Sequence, residues 1–460
     1  MLSQSLIKEL GQIVGKENIA TAKEDLICYS YDATNQQFLP DAVVFPKNAD
    51  EISLILKLAN KEGFPVVPRG AGSGFSGGSL PVEGGVVVSL ERMNKILKID
   101  ADNLIAIVEP GVVTGELQWA VEDLGLFYPP DPSSLKFCTI GGNVAECAGG
   151  PRAVKYGVTK DYVLGLEVVL PTGDIINTGA QTLKDVVGYD LTKLMVGSEG
   201  TLGIVTKIIL KLLPLPEAAK TMLAVFSDMR DAATTVSNII SSRIIPSTLE
   251  FMDKNSISCV DDYSSMGLPA DVEALLLIEV DGDRDLTEKQ AAAIQKICLD
   301  NRAREVRIAR DKKEVKKLWL IRRAISPALA KLKPNKINED IVVPRNKIPA
   351  AIIGIREIAK KYNLTNANFG HAGDGNIHVN IMIDKSDKDE ALRAESAVKE
   401  IFQLVLSLGG TISGEHGVGI SKMPYIDIEL SQPAIEVMKN IKQVLDPKGI
   451  LNPGKIFPHT

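Results

Sequence analysis

Three of the chain's four histidines sit in two short glycine-flanked segments, NFGHAGDGNIHVN at 368–380 and GEHGVG at 414–419. Imidazole is a metal-competent and proton-transferring group, so this concentration of a scarce residue points to chemistry. His371 and His378 flank Ala-Gly-Asp-Gly-Asn-Ile. Helical ligand pairs recur at i, i+4, and Gly-Asp-Gly breaks a helix, so a strand–turn–strand hairpin is expected, with Asp374 shaping the turn. Such a hairpin can aim two imidazoles at one point. Glu415 and His416 are adjacent, and share a cavity only if the backbone bends at Gly414 or Gly417. Two imidazoles and one carboxylate, with open positions, form a catalytic-type set for a divalent ion such as Zn, Fe or Mn. The same histidines could instead be turn residues or hydrogen-bonded core groups. His459, the fourth, is penultimate and expected to be solvent-exposed.

A second chemical signal is PRGAGSGFSGG at 68–78. It formally satisfies G-x-G-x-x-G, but that pattern binds a dinucleotide only between a strand and a helix. Here Pro81, Gly84 and Gly85 follow, and then the strand-like Val86–Leu90, so the Rossmann fingerprint is rejected. No Gly-Lys-Ser/Thr occurs, which rejects a Walker A loop. What remains is a glycine loop between strands, with uncovered amides able to nest an anion such as a pyrophosphate, or else a plain surface turn.

Three further segments follow in order: PPDPSS (129–134) with TIGGN (139–143), Gly149-Gly150 with Tyr156-Gly157, and GSEGTLGIVT (197–206). Together with the glycine loop and the histidine segments, they resemble the vanillyl-alcohol-oxidase-type FAD-binding family across essentially the whole chain. The resemblance is to its D-lactate dehydrogenase and glycolate oxidase large-subunit branch. It implies a non-Rossmann FAD domain of two subdomains plus an α+β cap domain with an antiparallel sheet. It also implies that Arg69, Gly70, Ala71, Gly72, Ser73 and Gly74 hold the pyrophosphate. Pro132, Ser133, Thr139, Gly142 and Asn143 would line the ribityl chain and flavin ring, while Gly149, Glu199, Gly203, Ile204 and Asn452 complete the cofactor wall. No His precedes residue 371, which favours non-covalent FAD. By the same resemblance His371, His378 and Glu415 ligate the metal and His416 is the general base. The expected reaction is oxidation of a small D-2-hydroxy acid to the 2-oxo acid, with hydride passing to the flavin.

In LWLIRR (318–323) the resemblance makes Arg322 the clamp for the substrate carboxylate, a task suited to a planar guanidinium. Ser326 lies one turn on, on the same helix face. Asn380 shares the strand face of His378, so both are expected substrate contacts. Relatives that take longer diacids carry Lys two residues before the Asp of the DIVVP-like strand. Here Asn338 stands there, which favours a short monocarboxylate.

These residues need elements to carry them. Val86–Leu90, Leu104–Val108, Val163–Leu170 and Gly203–Leu213 read as strands, and Asp50–Glu62 and Gly115–Leu124 as helices. Pro171–Asp174 reads as a hairpin turn. Beyond Pro214-Leu215-Pro216 strands alternate with longer helices, including 313–332, 349–362 and 388–408. A further helix is expected to open at Thr287, with Gln290 in a capping box. The expected domains are 1–216 for FAD, 217–410 for the cap with the metal site, and a C-terminal 411–460 packing back on the first.

Composition excludes other classes. A net charge of −6 without a like-charge run makes a nucleic-acid partner unexpected. No apolar run approaches the roughly 18 residues of a membrane span, and the N-terminal stretch reads as an amphipathic helix, not a signal peptide. Five scattered cysteines without a CxxC indicate a reducing, cytoplasmic setting and no iron–sulfur cluster of the chain's own. Reduced flavin therefore needs an electron-accepting partner, an electron-transfer flavoprotein or an iron–sulfur subunit. That partner implies a hetero-complex and a peripheral membrane location through it. Two other readings are an alkylglycerone-phosphate-synthase-like transferase and a flavin-free metallohydrolase.

Overall fold

The computed structural model describes residues 2–264 and 271–458, so His459 lies outside the described residues. The chain divides into two units: Met1–Gly149, Val158–Leu215 and Glu415–Thr460 form the first, Gly150–Gly157 and Pro216–Gly414 the second. The second unit ends at Gly414, and the chain returns to the first at Glu415. The short 150–157 excursion into the second unit had no signal in the sequence.

The first unit holds two main sheets. A four-stranded sheet orders Ile19–Ala20, Ala42–Val44, Val86–Ser89 and Val66–Arg69, the last three strands parallel. Its all-apolar Ala42–Val44 and Val86–Val88 runs are fully buried, as strands covered on both faces must be. Helices Gln4–Val14 and Ala49–Glu62 cover one side through Leu10, Ile52, Ile55 and Leu56. A five-stranded antiparallel sheet orders Ile96–Asp100, Ile105–Val108, Ile204–Lys211, Val163–Val169 and Ile175–Gly179. The turn at Pro171–Asp174 joins its last two strands, with Leu170 N donating to Asp174 O.

The second unit is built on one seven-stranded antiparallel sheet. Its order is Glu305–Ile308, Ala218–Phe226, Ala274–Gly282, Thr248–Asp253, Thr365–His371, Asn376–Ile383 and Asn335–Val342. Helix Lys312–Ala328 packs on one face through Leu318, Ile321, Ala324, Ile325 and Ala328, against Leu223, Leu275, Leu277, Phe369 and Met382. The expected helix start at Thr287 is displaced. The helix runs Arg284–Asp300 and Asp283 is its cap, accepting from Leu286 N. A carboxylate is as good a cap as a hydroxyl and complements the helix dipole, so the earlier acid wins and Thr287 is buried inside the first turns. Among the described residues no helix is long and apolar enough to cross a membrane.

Candidate active site

In the second unit, strands Thr365–His371 and Asn376–Ile383 form the hairpin that the glycines call for. Gly375 makes the turn with φ +92°, and a Cβ there would overlap the Val343 carbonyl. Residues of alternating strand position share a face, so His378 and Asn380 and, across the pairing, Phe369 and His371 lie together. The His371 and His378 Nε2 atoms are 3.3 Å apart and both rings are buried. Their planes are nearly perpendicular, at 86°. Two nitrogens on a tetrahedral ion with ordinary zinc–nitrogen bonds stand about 3.4 Å apart. The imidazole pair therefore fits a divalent ion.

Behind the pair stands Glu250, in the all-buried strand Thr248–Asp253, directly opposite His371 in the register. Its Oε1 is 2.6 Å from His371 Nδ1, and its Oε2 accepts from Arg322 Nε at 2.5 Å. Burial works to raise the Glu250 pKa, but the adjacent His371 and Arg322 outweigh it and hold the carboxyl below its ordinary value. Arg322 projects from helix Lys312–Ala328 over the Phe369 ring, its guanidinium carbon 4.6 Å from the centroid. Its Nη2 is buried and has no hydrogen-bond partner among the described residues. An orphaned, buried guanidinium nitrogen fits a substrate anion.

The other expected substrate contacts are placed as follows. Asn380 is fully buried; its Nδ2 donates to Ala367 O and His378 O, and its Oδ1 accepts from Asn338 Nδ2. Ser326 is exposed, one turn beyond Arg322, and its Oγ accepts from Lys336 Nζ at 2.8 Å. Gly414, the last residue of this unit, donates its amide to Asp340, the register partner of His378. Glu415 is one peptide further along.

In the first unit, the glycine loop leaves strand Val66–Arg69. The amides of Ala71, Gly72, Ser73 and Gly74 donate no hydrogen bond among the described residues, so the run is an open nest of donors. Arg69 does not reach out of it. Its guanidinium is buried beneath, donating to Tyr31 O and Ser79 Oγ, and burial lowers its pKa. Gly72 has φ +64°, and any Cβ would overlap that guanidinium. Gly72→Val is therefore expected to lose most bound flavin, read as the 450 to 280 nm absorbance ratio of the purified protein. The φ penalty alone is about 1–2 kcal/mol.

TIGGN abuts the same loop: a Cβ on Gly70 would lie 2.5 Å from Thr139 Oγ1. Thr139 caps helix Ile140–Glu146, accepting from Gly142 N, and Asn143 Nδ2 donates to Thr114 Oγ1. Gln118 Nε2 secures the PPDPSS turn through Tyr128 O and Pro130 O, which positions Pro132 and leaves Ser133 exposed.

Of the remaining expected cofactor residues, Glu199 and Asn452 tie into the loop that follows His416. Buried Glu199, with φ +53°, accepts from Val418 N and Gly419 N, both at 2.7 Å. Burial raises its pKa against those two bonds. Asn452 Nδ2 ties Gly78 O to Glu199 O, and Ser76 O accepts from Ile420 N. Gly149 faces Glu415: a Cβ would stand 2.6 Å from Oε2. The Ile204 side chain is buried in the apolar core, and Gly203 packs on Val168. His416 stacks on Phe75 of the glycine loop, centroids 5.1 Å apart and planes 28° from parallel. Glu250 and Phe75 were not legible as site residues, since each acquires its role from a partner far away in the chain.

Comparison with known proteins shows the family. The model described as FAD linked oxidases, C-terminal domain, matches residues 215–456, and an FAD binding domain model matches 40–179. The glycolate oxidase subunit GlcD of Bacillus subtilis is 50% identical over 458 residues, covering 99% of this chain and 97% of that protein. A D-lactate dehydrogenase of Anaerostipes hadrus is 36% identical, covering 91% and 89%. Among solved structures, p-cresol methylhydroxylase superposes with a TM-score of 0.81 at 18% identity, covering 99% and 97%; it shares the fold. So does an alkyldihydroxyacetonephosphate synthase, at 0.76 and 20% identity, covering 98% and 86%.

Proposed function

The chain belongs to the FAD linked oxidases, and from that premise we propose that it oxidises a small D-2-hydroxy acid, D-lactate or glycolate, to the 2-oxo acid. The observation that carries this reading is the shared Glu250: one carboxylate holds both an imidazole of the candidate metal pair and the guanidinium with the orphaned Nη2. A 2-hydroxy acid has its hydroxyl and carboxylate on neighbouring carbons. A metal-competent pair and an anion clamp yoked through one residue suit that arrangement.

Arg322 would take the substrate carboxylate through its Nη edge and so orient the α-carbon. His371, His378 and Glu415 would hold a divalent ion, and the Ala71–Gly74 amides the pyrophosphate of a non-covalent FAD. When bound, the ion would polarise the substrate hydroxyl and the flavin would accept the hydride. His416 would take the hydroxyl proton; Phe75 stacking and the Glu199-braced loop keep its ring in place. Hydride and proton together account for the two electrons and two protons lost by the acid. Electrons then pass to a partner protein, consistent with relatives named as subunits. We place the protein in the cytoplasm, reaching the membrane only through that partner.

The transferase alternative rests on a fold likeness at 20% identity, against 50% for the glycolate oxidase subunit. Dye-linked assays over D-lactate, L-lactate, glycolate and D-2-hydroxyglutarate test the proposal. Turnover of D-lactate or glycolate, with L-lactate inert, is the expected result. Failure of every 2-hydroxy acid to reduce the dye would refute it.

A further inference from the structure

Glu250 has no place in the chemistry set out above beyond touching two of its residues, yet its position is costly. It is fully buried, with Leu277 opposite it on one side and His371 on the other. Apolar Met252, Leu275, Leu277 and Phe369 form the surrounding cluster. A buried ion pair in such a setting is poor evidence for stability, because apolar residues of similar volume often do as well or better. The residue is better explained by what its two oxygens hold. Oε2 accepts from Arg322 Nε, and Oε1 meets His371 Nδ1.

We infer that Glu250 is a positioning residue that sets the tautomer of His371 and the plane of Arg322 together, so that the metal ligand and the carboxylate clamp are oriented by one group. The inference rests on the proposed metal-assisted function and deepens it. Its logic is one of donors and acceptors. Arg322 can only donate, and its fixed positive charge beside a fully buried carboxyl requires the carboxylate form. Oε1 then has no proton to give, so His371 Nδ1 must be the donor, and in the neutral ring the lone pair is on Nε2. That is the tautomer a metal ligand needs, with the other ring nitrogen oriented by a carboxylate. On the other side, the Nε–H bond consumes one edge of the guanidinium. An incoming carboxylate is left with Nη1 and Nη2, the latter buried and unpartnered among the described residues. A single-atom change at Glu250 should thus disturb two measured constants that a scaffold residue would not link.

Glu250→Gln is the direct test, because it keeps the shape. A carboxamide can accept from only one of the two partners and presents N–H to the other. If it accepts from Arg322, it donates to His371 Nδ1 and forces the proton onto Nε2. If reversed, two donors face each other at Arg322. Chelator-stripped wild type and variant are titrated with Zn(II) and with Mn(II) by equilibrium dialysis and metal analysis. The variant is expected to bind about 10–100-fold more weakly and to show a raised KM for the hydroxy acid, with flavin content retained. Wild-type metal affinity in a folded Glu250→Gln protein overturns the inference. Failure of the wild type itself to bind either metal overturns the underlying metal reading instead.

A measurement on the unmutated chain covers the case in which the variant does not fold. With four histidines in all, 15N-histidine spectra of the metal-free protein are tractable, and His371→Gln assigns the ring. A protonated Nδ1 and bare Nε2 on His371 is the expected state. An Nε2-protonated His371 contradicts the inference whatever the variant does.

Discussion

Replacing His378 by alanine is expected to lower the rate of flavin reduction by a hydroxy acid about 1,000-fold, while the protein stays yellow. The ring is buried with its Nε2 3.3 Å from that of His371, so its loss halves the imidazole pair. Metal polarisation of a reacting oxygen is worth several kcal/mol, and about 4 kcal/mol corresponds to that factor. The flavin should remain because the nest of Ala71–Gly74, Thr139 and Asn143 belongs to the other unit. Stopped-flow absorbance at 450 nm gives the rate, and metal analysis of the same sample should show the ion lost. A variant that reduces its flavin at the wild-type rate would mean that His378 is only a packed ring against Phe369.

The second large effect is expected at Arg322. Lysine keeps the charge but not the fork, so it cannot satisfy Glu250 and a substrate carboxylate in one plane. Each lost charge-assisted bond is worth about 1.5–3 kcal/mol, so kcat/KM should fall about 100-fold or more in Arg322→Lys. Most of the change should appear in KM. A methionine at this position should be worse for a different reason. It removes the guanidinium that pairs with the buried Glu250 carboxylate and leaves it the His371 hydrogen bond, at a stability cost of about 3–5 kcal/mol. Steady-state kinetics separates the two variants from thermal unfolding of each. An unchanged kcat/KM in Arg322→Lys would move the carboxylate clamp elsewhere.

Much of this architecture is legible in the sequence. The histidine hairpin declared itself because Gly-Asp-Gly excludes a helix, and a strand–turn–strand is what the structure contains. The glycine loop was recognisable as a non-Rossmann nest because a strand, Val86–Ser89, follows it where a helix would have to start. What escaped was set by distant partners. Glu250 lies 121 residues from His371, and TLEFMD reads as an ordinary strand with an acid in it. Glu199 was legible as part of a glycine motif, but its carboxylate serves the amides of Val418 and Gly419, 219 and 220 residues away. The capping-box spacing of Thr287 and Gln290 points to a helix start that the structure moves back to Asp283. Local chemistry was visible along the chain, whereas the pairing that orients it was not.

The central claim is that one substrate is held by the imidazole pair and oxidised by the flavin. It is tested most directly by mixing the flavoprotein anaerobically with D-lactate or glycolate, before and after chelator treatment and again after adding back Zn(II) or Mn(II). The account predicts rapid bleaching at 450 nm in the untreated protein, loss of bleaching with flavin still bound after stripping, and recovery on metal addition. Equal bleaching in the stripped and restored protein would contradict it.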